Sequence, residues 1–210
     1  MGLFMPKTAI ILLAAGSARR MGQPKALLDW NSVPLIIHQL KTLEGLELPI
    51  IVVLGAHYDH ISAVTQAHSF DSPVQLIYHA DHSNGMGGSI ACGVKEADRY
   101  IKGLESVLIT AIDQPFVTTE YLKAFLSHFE SGSHSIQNAT STEGWKGIPV
   151  IFKRSHFADL KKLSGDDGAK SIIRRFAQQL HSFKAFDGLT DIDTYEDYLK
   201  LKPSAPDFDH

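Results

Sequence analysis

The sequence has little cysteine, no long apolar run and no excess of positive charge. Cys92 is the only cysteine among 210 residues, which excludes an intrachain disulfide and a cysteine-cluster metal site. No segment reaches the roughly 18 apolar residues of a membrane helix. Nothing around the short apolar run after Lys7 is typical of a signal peptide. The net charge of -3 disfavours a general nucleic-acid binder. We therefore expect a cytoplasmic protein that binds neither membranes nor nucleic acid.

Several common catalytic and nucleotide-binding motifs are also missing. A Walker A loop is excluded because five residues separate Gly16 from Gly22, and Lys25 is followed by Ala26. The dinucleotide fingerprint G-x-G-x-x-G does not follow the first apolar segment. No Ser-His-Asp order and no H-x-x-x-H helix stand out, which disfavours hydrolase and metalloprotease functions.

What the chain does have is an apolar run, Ala9–Ala15, that leads into a cationic loop with glycines at Gly16 and Gly22. The loop carries three permanent cations: Arg19, Arg20 and Lys25. A run of this kind is typical of a strand buried on both faces. Glycine lets backbone N–H groups approach an anion, and Arg and Lys neutralise it. The pattern therefore indicates a polyphosphate site, with a solvated basic loop as the simpler alternative.

This segment resembles the signature L-A-A-G-x-S-x-R-M-G-x-x-K of the NTP-transferase family, most closely its molybdenum-cofactor cytidylyltransferase branch. The positions in register are Leu13, Ala14, Ala15, Gly16, Arg20, Met21, Gly22 and Lys25. The serine of the signature is shifted to Ser17. The resemblance implies a nucleotide-diphospho-sugar transferase-like fold, with Arg20 and Lys25 as catalytic cations. It also implies that the nucleotide binds at Leu13, Ala14, Ala15, Gly16 and Gly22.

Alternating apolar and helical patterns predict one three-layer α/β/α domain, with a Rossmann-like, mostly parallel sheet, over residues 1–200. The predicted strands are Lys7–Leu13, Pro49–Leu54, Val74–Tyr78, Ser106–Ile112, Gln137–Thr140 and Trp145–Phe152. The predicted helices are Pro34–Leu43, Tyr58–Ala67, Ser89–Tyr100, Thr119–Phe129, His156–Leu163 and Ala169–Gln179. Residues 201–210, with two prolines and little apolar content, are expected to be a disordered tail.

Asp113 follows the predicted strand Ser106–Ile112 directly and precedes Gln114-Pro115. Ligands sit at the carboxyl ends of parallel strands. Mg²⁺ binds through one or two carboxylates together with substrate phosphates. We therefore expect Asp113 to be a metal ligand and catalytic residue, and the resemblance places the family's metal-binding Asp in this D-x-P position. The alternative is an Asp that accepts N–H groups of the turn.

A second acidic pair, Asp191 and Asp193, lies late in the chain. Two carboxylates one residue apart in a strand would point the same way, toward one ion. Either of them could complete the metal site, and Asp193 is the predicted ligand. The alternative is a helix cap, with Asp193 or Thr194 capping a last helix over Tyr195–Leu199.

The glycine-rich segment around residues 85–89 is a second candidate for nucleotide contact. Gly85, Met86 and Ser89 match the G-M-x-x-S segment that the family uses near the base and ribose. We expect its glycines to allow close backbone approach and Ser89 to open the following helix. The alternative is a flexible connector with a helix cap. A transition-metal site at His79, Asp81 and His82 is not expected, because one short loop supplies no third strong ligand.

The segment before the predicted helix Ala169–Gln179 matches the branch's G-D-x-G-A-[RK] pattern, and includes Gly168 and Lys170. Gly168 before a helix, with Lys170 in its first turn, predicts a loop that holds an acceptor phosphate. The simpler alternative is a helix start with an exposed lysine. The chain carries Ile148 where the branch commonly has His.

Taken together, the resemblance implies transfer of CMP from CTP to molybdopterin, with Mg²⁺ as cofactor and release of pyrophosphate. It also implies a molybdoenzyme or its chaperone as a partner that receives the product. A sugar-phosphate or alditol-phosphate nucleotidyltransferase stays open as an alternative. So do a glycosyltransferase that uses Asp191-Ile-Asp193 for its metal, and a nucleotide sensor without catalysis.

Overall fold

Strands and helices alternate along the computed structural model, which describes residues 7–16, 21–140, 146–184 and 189–203. The strands are β1 (Thr8–Ala14), β2 (Asp29–Trp30), β3 (Val33–Pro34), β4 (Ile50–Leu54), β5 (Val74–Tyr78), β6 (Ser106–Ala111), β7 (Ile136–Thr140), β8 (Lys146–Lys153) and β9 (Leu180–Lys184). The helices are α1 (Leu35–Glu44), α2 (Tyr58–Gln66), α3 (Gly85–Tyr100), α4 (Thr119–Ser131), α5 (Phe157–Leu160), α6 (Lys170–Arg175) and α7 (Tyr195–Leu201). None of the described helices is long and apolar enough to cross a bilayer.

Seven of the described strands form one sheet in the order β5-β4-β1-β6-β8-β7-β9. Only β8 runs antiparallel to its neighbours, β6 and β7, and the other pairings of this sheet are parallel. Strands β2 and β3 form a separate antiparallel hairpin. The predicted mostly parallel sheet is therefore confirmed.

Strand β1 shows why its sequence is a continuous apolar run. Every residue of the strand is buried, and alternate side chains enter different layers. Ile10 and Leu12 pack on the side of α1 and α4, whereas Ala9 and Ile11 pack on the side of α3. Helices cover both faces of the sheet, so both faces favour apolar side chains, and the one polar side chain of β1, Thr8, is hydrogen-bonded to Ser106. The three-layer α/β/α prediction is confirmed.

The helix starts depend on local signals. The Thr118 side chain caps α4 by accepting a hydrogen bond from the Tyr121 N–H at 3.2 Å, as the sequence predicts. The prediction that Ser89 opens α3 is wrong, because the helix begins at Gly85. Gly85 has a φ of 83°, a left-handed conformation that glycine adopts without strain. Ser89 is therefore a buried residue inside the helix.

The C-terminal part differs most from the predicted elements. The sequence predicts one helix over Ala169–Gln179, but α6 ends at Arg175 and is followed by a 3₁₀ turn over Ala177–Gln179. The chain leaves the helix because residues 180–184 form β9, which pairs in parallel with β7. The predicted helix His156–Leu163 is reduced to α5 after a 3₁₀ turn. Leu201 belongs to α7, and residues 204–210 of the predicted tail lie outside the described residues.

His156 makes the stability of this part of the fold sensitive to pH. Its side chain is 2% exposed, and its Nε2 lies 2.8 Å from the Ser135 hydroxyl. Nδ1 has no hydrogen-bond partner among the described residues. Burial lowers the pKa of His156 below its usual value. Below about pH 6.5 the unfolded chain therefore takes up a proton that the folded protein does not, so stability is lost as the pH falls.

The free energy of unfolding of the wild-type protein should fall between pH 7.5 and pH 5.5. We expect this fall to be about 1 kcal/mol smaller in His156→Gln. Glutamine keeps a polar group near Ser135 but does not titrate. Urea denaturation at both pH values measures the difference. His60→Gln, on the exposed face of α2, serves as the control and should follow the wild type. Equal pH dependence in His156→Gln and wild type would contradict the assignment.

Candidate functional site

The parallel strands β1, β4 and β6 end at one edge of the sheet, where a cleft of about 450 Å³ opens. Nine of the predicted site residues line it. They are Leu13, Ala14, Ala15, Gly16, Lys25, Gly85, Met86, Ser89 and Asp113. Side chains and backbone from distant parts of the sequence therefore meet at the carboxyl edge of the sheet, as expected for an open α/β fold.

Other predicted residues lie elsewhere. Gly22 and Gly168 are described, but neither lines this cleft or the second cavity that adjoins it. Gly168 is buried, and a Cβ there would lie 3.0 Å from the Met86 sulfur. Lys170 is exposed and lines the second cavity. Arg20, with Ser17 and Arg19, lies outside the described residues.

Lys25 is the charged centre of the cleft. It begins a 3₁₀ turn over Lys25–Leu27, and its side chain is 20% exposed. Its Nζ donates to Asp113 Oδ2 at 3.3 Å and to Asp193 Oδ1 at 3.4 Å. One ammonium group thus joins two carboxylates that are 80 residues apart in sequence. The fold therefore brings Asp113 and Asp193 to one side chain, Lys25, and their predicted role as metal ligands stays a prediction.

The donor set of this site fits Mg²⁺. The carboxylates of Asp113 and Asp193 both lie within 3.4 Å of the Lys25 ammonium, so the two anionic groups face one positive charge. Among the described residues, no three His, Cys, Asp or Glu side chains form a group that could hold a metal alone. Mg²⁺ in phosphate-transfer sites uses one or two carboxylates and completes its shell with water and substrate phosphates. Asp113 and Asp193 would be the protein's ligands.

Asp191 and Asp193 do not point at one ion, so the strand geometry expected for this pair is wrong. Both residues lie in irregular chain, where side chains do not alternate as in a strand. Asp193 contacts Lys25, whereas Asp191 Oδ1 accepts a hydrogen bond from Gln114 Nε2 at 2.9 Å. Burial, as the largest cause, raises the pKa of the Asp191 carboxyl. The two carboxylates therefore occupy different surroundings.

The cap that the sequence left open between Asp193 and Thr194 is formed by Thr194. Its hydroxyl accepts a hydrogen bond from the Asp197 N–H at 3.1 Å, and the Asp197 carboxylate accepts from the Thr194 N–H at 2.9 Å. This is a capping box at the start of α7. Asp193 is left with an exposed carboxylate that contacts Lys25, and it lines neither the cleft nor the second cavity.

Gly85 and Gly87, at the start of α3, allow the loop of residues 164–166 to pack against the backbone of that helix. The Gly87 N–H donates to the Gly165 carbonyl at 2.8 Å, and the Gly165 N–H donates to the Asn84 carbonyl at 2.8 Å. A Cβ at Gly85 would lie 2.5 Å from the Gly165 carbonyl carbon, and one at Gly87 would lie 2.7 Å from the Ser164 oxygen. The glycines thus bring residues 164–166 against α3, a contact that the sequence pattern does not indicate.

This packing creates the second cavity, of about 290 Å³. Four residues line both it and the cleft: Met86, Ala111, Asp113 and Asp166. One wall is apolar and is formed by Ile90, Ile148, Val150 and Ile173. The lining also includes the polar side chains of Gln114, Asp191 and Lys170. Two compartments therefore meet at Asp113, an arrangement in which two substrates can react.

His82, Asp166 and Gln114 line these cavities but are not among the predicted site residues. His82 packs against the backbone of Gly55, where a Cβ would lie 2.8 Å from the His82 ring. Asp166 is the aspartate of the G-D-x-G-A-[RK] pattern, and Gln114 follows Asp113 directly, so each had a signal in the sequence. The position of Asp166 depends on the packing of residues 164–166 on α3. The contacts of Gln114 depend on the position of residues 191–193 beside β6.

The chain is similar to a known domain family and to several named proteins over most of its length. A family model described as the MobA-like NTP transferase domain matches residues 10–182. The chain is 29% identical over 195 residues to purine catabolism protein PucB of Bacillus subtilis, which covers 90% of this chain and 92% of PucB. It is 31% identical over 147 residues to a probable molybdenum cofactor guanylyltransferase of Bacillus mycoides, which covers 70% of this chain and 64% of that protein.

A third relative is a 2-C-methyl-D-erythritol 4-phosphate cytidylyltransferase of Leptospira interrogans, 26% identical over 171 residues, or 77% of this chain and 70% of that protein. Among solved structures, Rv0371c from Mycobacterium tuberculosis has the same fold, with a TM-score of 0.78. The superposition covers 96% of this chain and all of Rv0371c, at 22% sequence identity. At that identity the likeness concerns the fold alone.

Proposed function

Because this chain belongs to the MobA-like NTP transferase family, and so to the nucleotidyltransferases, we propose that it transfers CMP from CTP to molybdopterin in the presence of Mg²⁺. The observation that carries the proposal is the contact of Lys25 with Asp113 and Asp193 at the junction of two cavities. The cleft would take the nucleotide, and the second cavity would take the acceptor.

The reaction is an in-line transfer at the α-phosphorus of CTP. An oxygen of the acceptor phosphate forms a bond to that phosphorus, the bond to the β-phosphate oxygen breaks, and pyrophosphate leaves. Mg²⁺, when bound, neutralises charge on the phosphate oxygens. Lys25 supplies a fixed positive charge where the leaving group gains its negative charge. The acceptor phosphate is already ionised, so no side chain has to remove a proton.

The apolar wall of the second cavity supports a ring-containing acceptor. Ile90, Ile148, Val150 and Ile173 offer no hydrogen-bonding side chain, so a sugar hydroxyl placed against these four residues would lose water without compensation. The flat face of a fused heterocycle would instead bury apolar surface on this wall. Lys170, on the same cavity, is a cation within the acceptor's surroundings.

The residue at position 15 supports CTP as the donor, because alanine carries a methyl group that glycine lacks. Ala15 lies on the floor of the cleft and is 5% exposed. Its methyl group takes space that a glycine would leave to a larger purine base. A methyl group in a close-fitting pocket changes discrimination between substrates by about 10-fold or more.

We therefore expect Ala15→Gly to shift the ratio of kcat/KM for GTP over CTP upward by about tenfold. Pyrophosphate release, measured with each nucleotide in turn, gives the ratio. Ala26→Gly removes a methyl group elsewhere in the same cleft and serves as the control. An unchanged ratio in Ala15→Gly, or an equal shift in Ala26→Gly, would contradict the role of position 15.

An alditol phosphate is the second candidate acceptor. The similarity to the methylerythritol phosphate cytidylyltransferase covers 77% of this chain, which is more than the similarity to the guanylyltransferase covers. With that acceptor the chemistry at Asp113 would be the same, and only the occupant of the second cavity would change.

Product analysis tests both candidates. The protein is incubated with Mg²⁺, one of the four common nucleoside triphosphates, and either molybdopterin or 2-C-methyl-D-erythritol 4-phosphate. We expect pyrophosphate and a cytidylylated molybdopterin, identified by its mass. Product with the alditol phosphate alone would favour the second candidate. No pyrophosphate from any combination would refute both.

A further inference from the structure

The separation of Asp113 and Asp193 is not set by a shared element of secondary structure. Asp113 follows β6, whereas Asp193 lies in irregular chain between residues 189 and 194. The side chain of Asp193 is 64% exposed, so packing does not hold it. The Ile192 N–H donates to the Asp113 carbonyl at 2.8 Å, which places the two segments side by side. The Ile192 side chain is fully buried in the core and anchors the middle of the segment. The carboxylates on either side of it depend on their own contacts for their orientation.

Gln114 supplies the further contacts. Its side chain is 3% exposed, and its Nε2 donates to the Ile148 carbonyl at 3.0 Å and to Asp191 Oδ1 at 2.9 Å. Both partners only accept hydrogen bonds, which sets the orientation of the amide. The backbone carbonyl of Gln114 in turn accepts a hydrogen bond from Gln39 Nε2 at 2.8 Å. Gln114 thus connects α1, β8 and the segment that carries Asp193.

The oxygen of the Gln114 side-chain amide indicates that this arrangement has a cost. Gln114 Oε1 is buried and has no hydrogen-bond partner among the described residues. A buried acceptor without a donor typically costs about 1–3 kcal/mol. An apolar side chain of similar size would avoid that penalty. The two bonds made by Nε2 are therefore the contribution of this side chain.

Asp191 has the contacts of a positioning residue and not of a metal ligand. Its Oδ1 is engaged by Gln114, and its side chain lines the second cavity. Lys25, the cation present at the site, contacts Asp113 and Asp193. Residues that hydrogen-bond around metal sites commonly change metal affinity by 10–100-fold when they are replaced.

We propose that Gln114 and Asp191 form a positioning pair whose hydrogen bond holds the Asp193 segment beside Asp113, so that both carboxylates can serve one divalent cation. The proposal rests on the proposed function, since it assumes that Asp113 and Asp193 bind the cation. It assigns Asp191 to the positioning of Asp193 and leaves the ligand role to Asp193.

The test measures Mn²⁺ affinity by electron paramagnetic resonance on the full chain, without nucleotide or acceptor. Mn²⁺ takes the same oxygen ligands as Mg²⁺ and is detected directly. We expect Gln114→Leu and Asp191→Ala each to weaken Mn²⁺ binding by about 10-fold or more. Asp191→Asn keeps an oxygen that can accept from Gln114, so it should bind Mn²⁺ at least about fivefold more tightly than Asp191→Ala.

Gln137→Leu is the matched control for the loss of a buried amide. Gln137 is fully buried, and its Nε2 donates to the Phe125 carbonyl, but it lies away from both cavities. We expect it to lower thermal stability to an extent similar to Gln114→Leu while Mn²⁺ affinity stays unchanged. Comparison of the two leucine variants separates positioning from a general loss of stability.

Equal Mn²⁺ affinity in Gln114→Leu and wild type would overturn the positioning pair and leave the proposed function intact. Equal weakening in Asp191→Asn and Asp191→Ala would also overturn it, because the charge and not the hydrogen bond would then matter. A wild-type protein that binds no Mn²⁺, alone or with CTP, would instead refute the metal-dependent function itself.

Discussion

Asp113→Asn is expected to lower kcat for pyrophosphate release by about three orders of magnitude. The asparagine keeps the shape of the side chain but removes the charge that a metal ion and Lys25 both require. Loss of one preorganised electrostatic contact at a reacting centre typically costs 10²- to 10³-fold, and metal binding is lost in addition. The backbone contact between Asp113 and Ile192 does not involve the carboxylate, so the fold should persist.

Asp98→Asn is the matched control for this change. Asp98 is also a largely buried carboxylate that pairs with cations, Arg154 at 2.7 Å and Lys161, but it lies away from the cleft. We expect Asp98→Asn to lower the melting temperature and to leave kcat within about twofold of the wild type. A kcat of Asp113→Asn close to that of Asp98→Asn would show that Asp113 has no catalytic role.

Lys25→Met is expected to lower kcat/KM by about 10²- to 10³-fold. The methionine preserves the length and apolar stem of the side chain but removes the positive charge. Asp113 and Asp193 then lose their common partner, and the leaving pyrophosphate loses a fixed cation. Steady-state pyrophosphate release with CTP measures the loss.

Lys41→Met tests whether any bridging lysine would give this result. Lys41 Nζ also contacts two oxygens, in Glu44 at 2.9 Å and in the Ser69 backbone at 3.0 Å, at the surface beside α1. Its replacement should change kcat/KM by less than about twofold. If Lys25→Met behaved like Lys41→Met, the cation at the cleft would not contribute to the reaction.

Most elements before residue 131 were predictable from local signals, except the β2–β3 hairpin and the start of α3. The apolar run of β1 requires burial on both faces, and Thr118 offers a cap at the residue where α4 begins. The predicted bounds of β5 agree with the structure, and those of β1 differ by one residue. Local sequence signals are sufficient for these elements, so contacts with other parts of the fold changed their bounds little.

Strand β9 and the shortened α6 were not predictable in the same way. The helical pattern continues through Gln179, and helix propensity alone gives no reason to stop at Arg175. The chain stops there because β7 offers an open edge that residues 180–184 pair with. Pairing between strands 44 residues apart in sequence outweighs a local preference.

The candidate site likewise contains residues that could be predicted from local sequence and residues that could not. Asp113 and residues 13–16 were found because a polar or glycine residue directly follows a buried strand, and parallel strands end at a common edge. The opposite orientations of Asp191 and Asp193 were not predictable, because residues in irregular chain do not follow a strand's alternation. The contacts of Gln114 gave no signal, since its partners lie on other segments of the chain.

The sequence by itself therefore determined the parallel sheet, its order of elements up to α4, and the loop and aspartate at the carboxyl edge, because burial and capping act within a few residues. The tertiary structure alone decided which late carboxylate reaches Lys25, how residues 164–166 close a second cavity on α3, and what holds Asp193 in place. The reason is that these features are contacts between segments up to about 170 residues apart, and such contacts are specified by the packing of the whole domain.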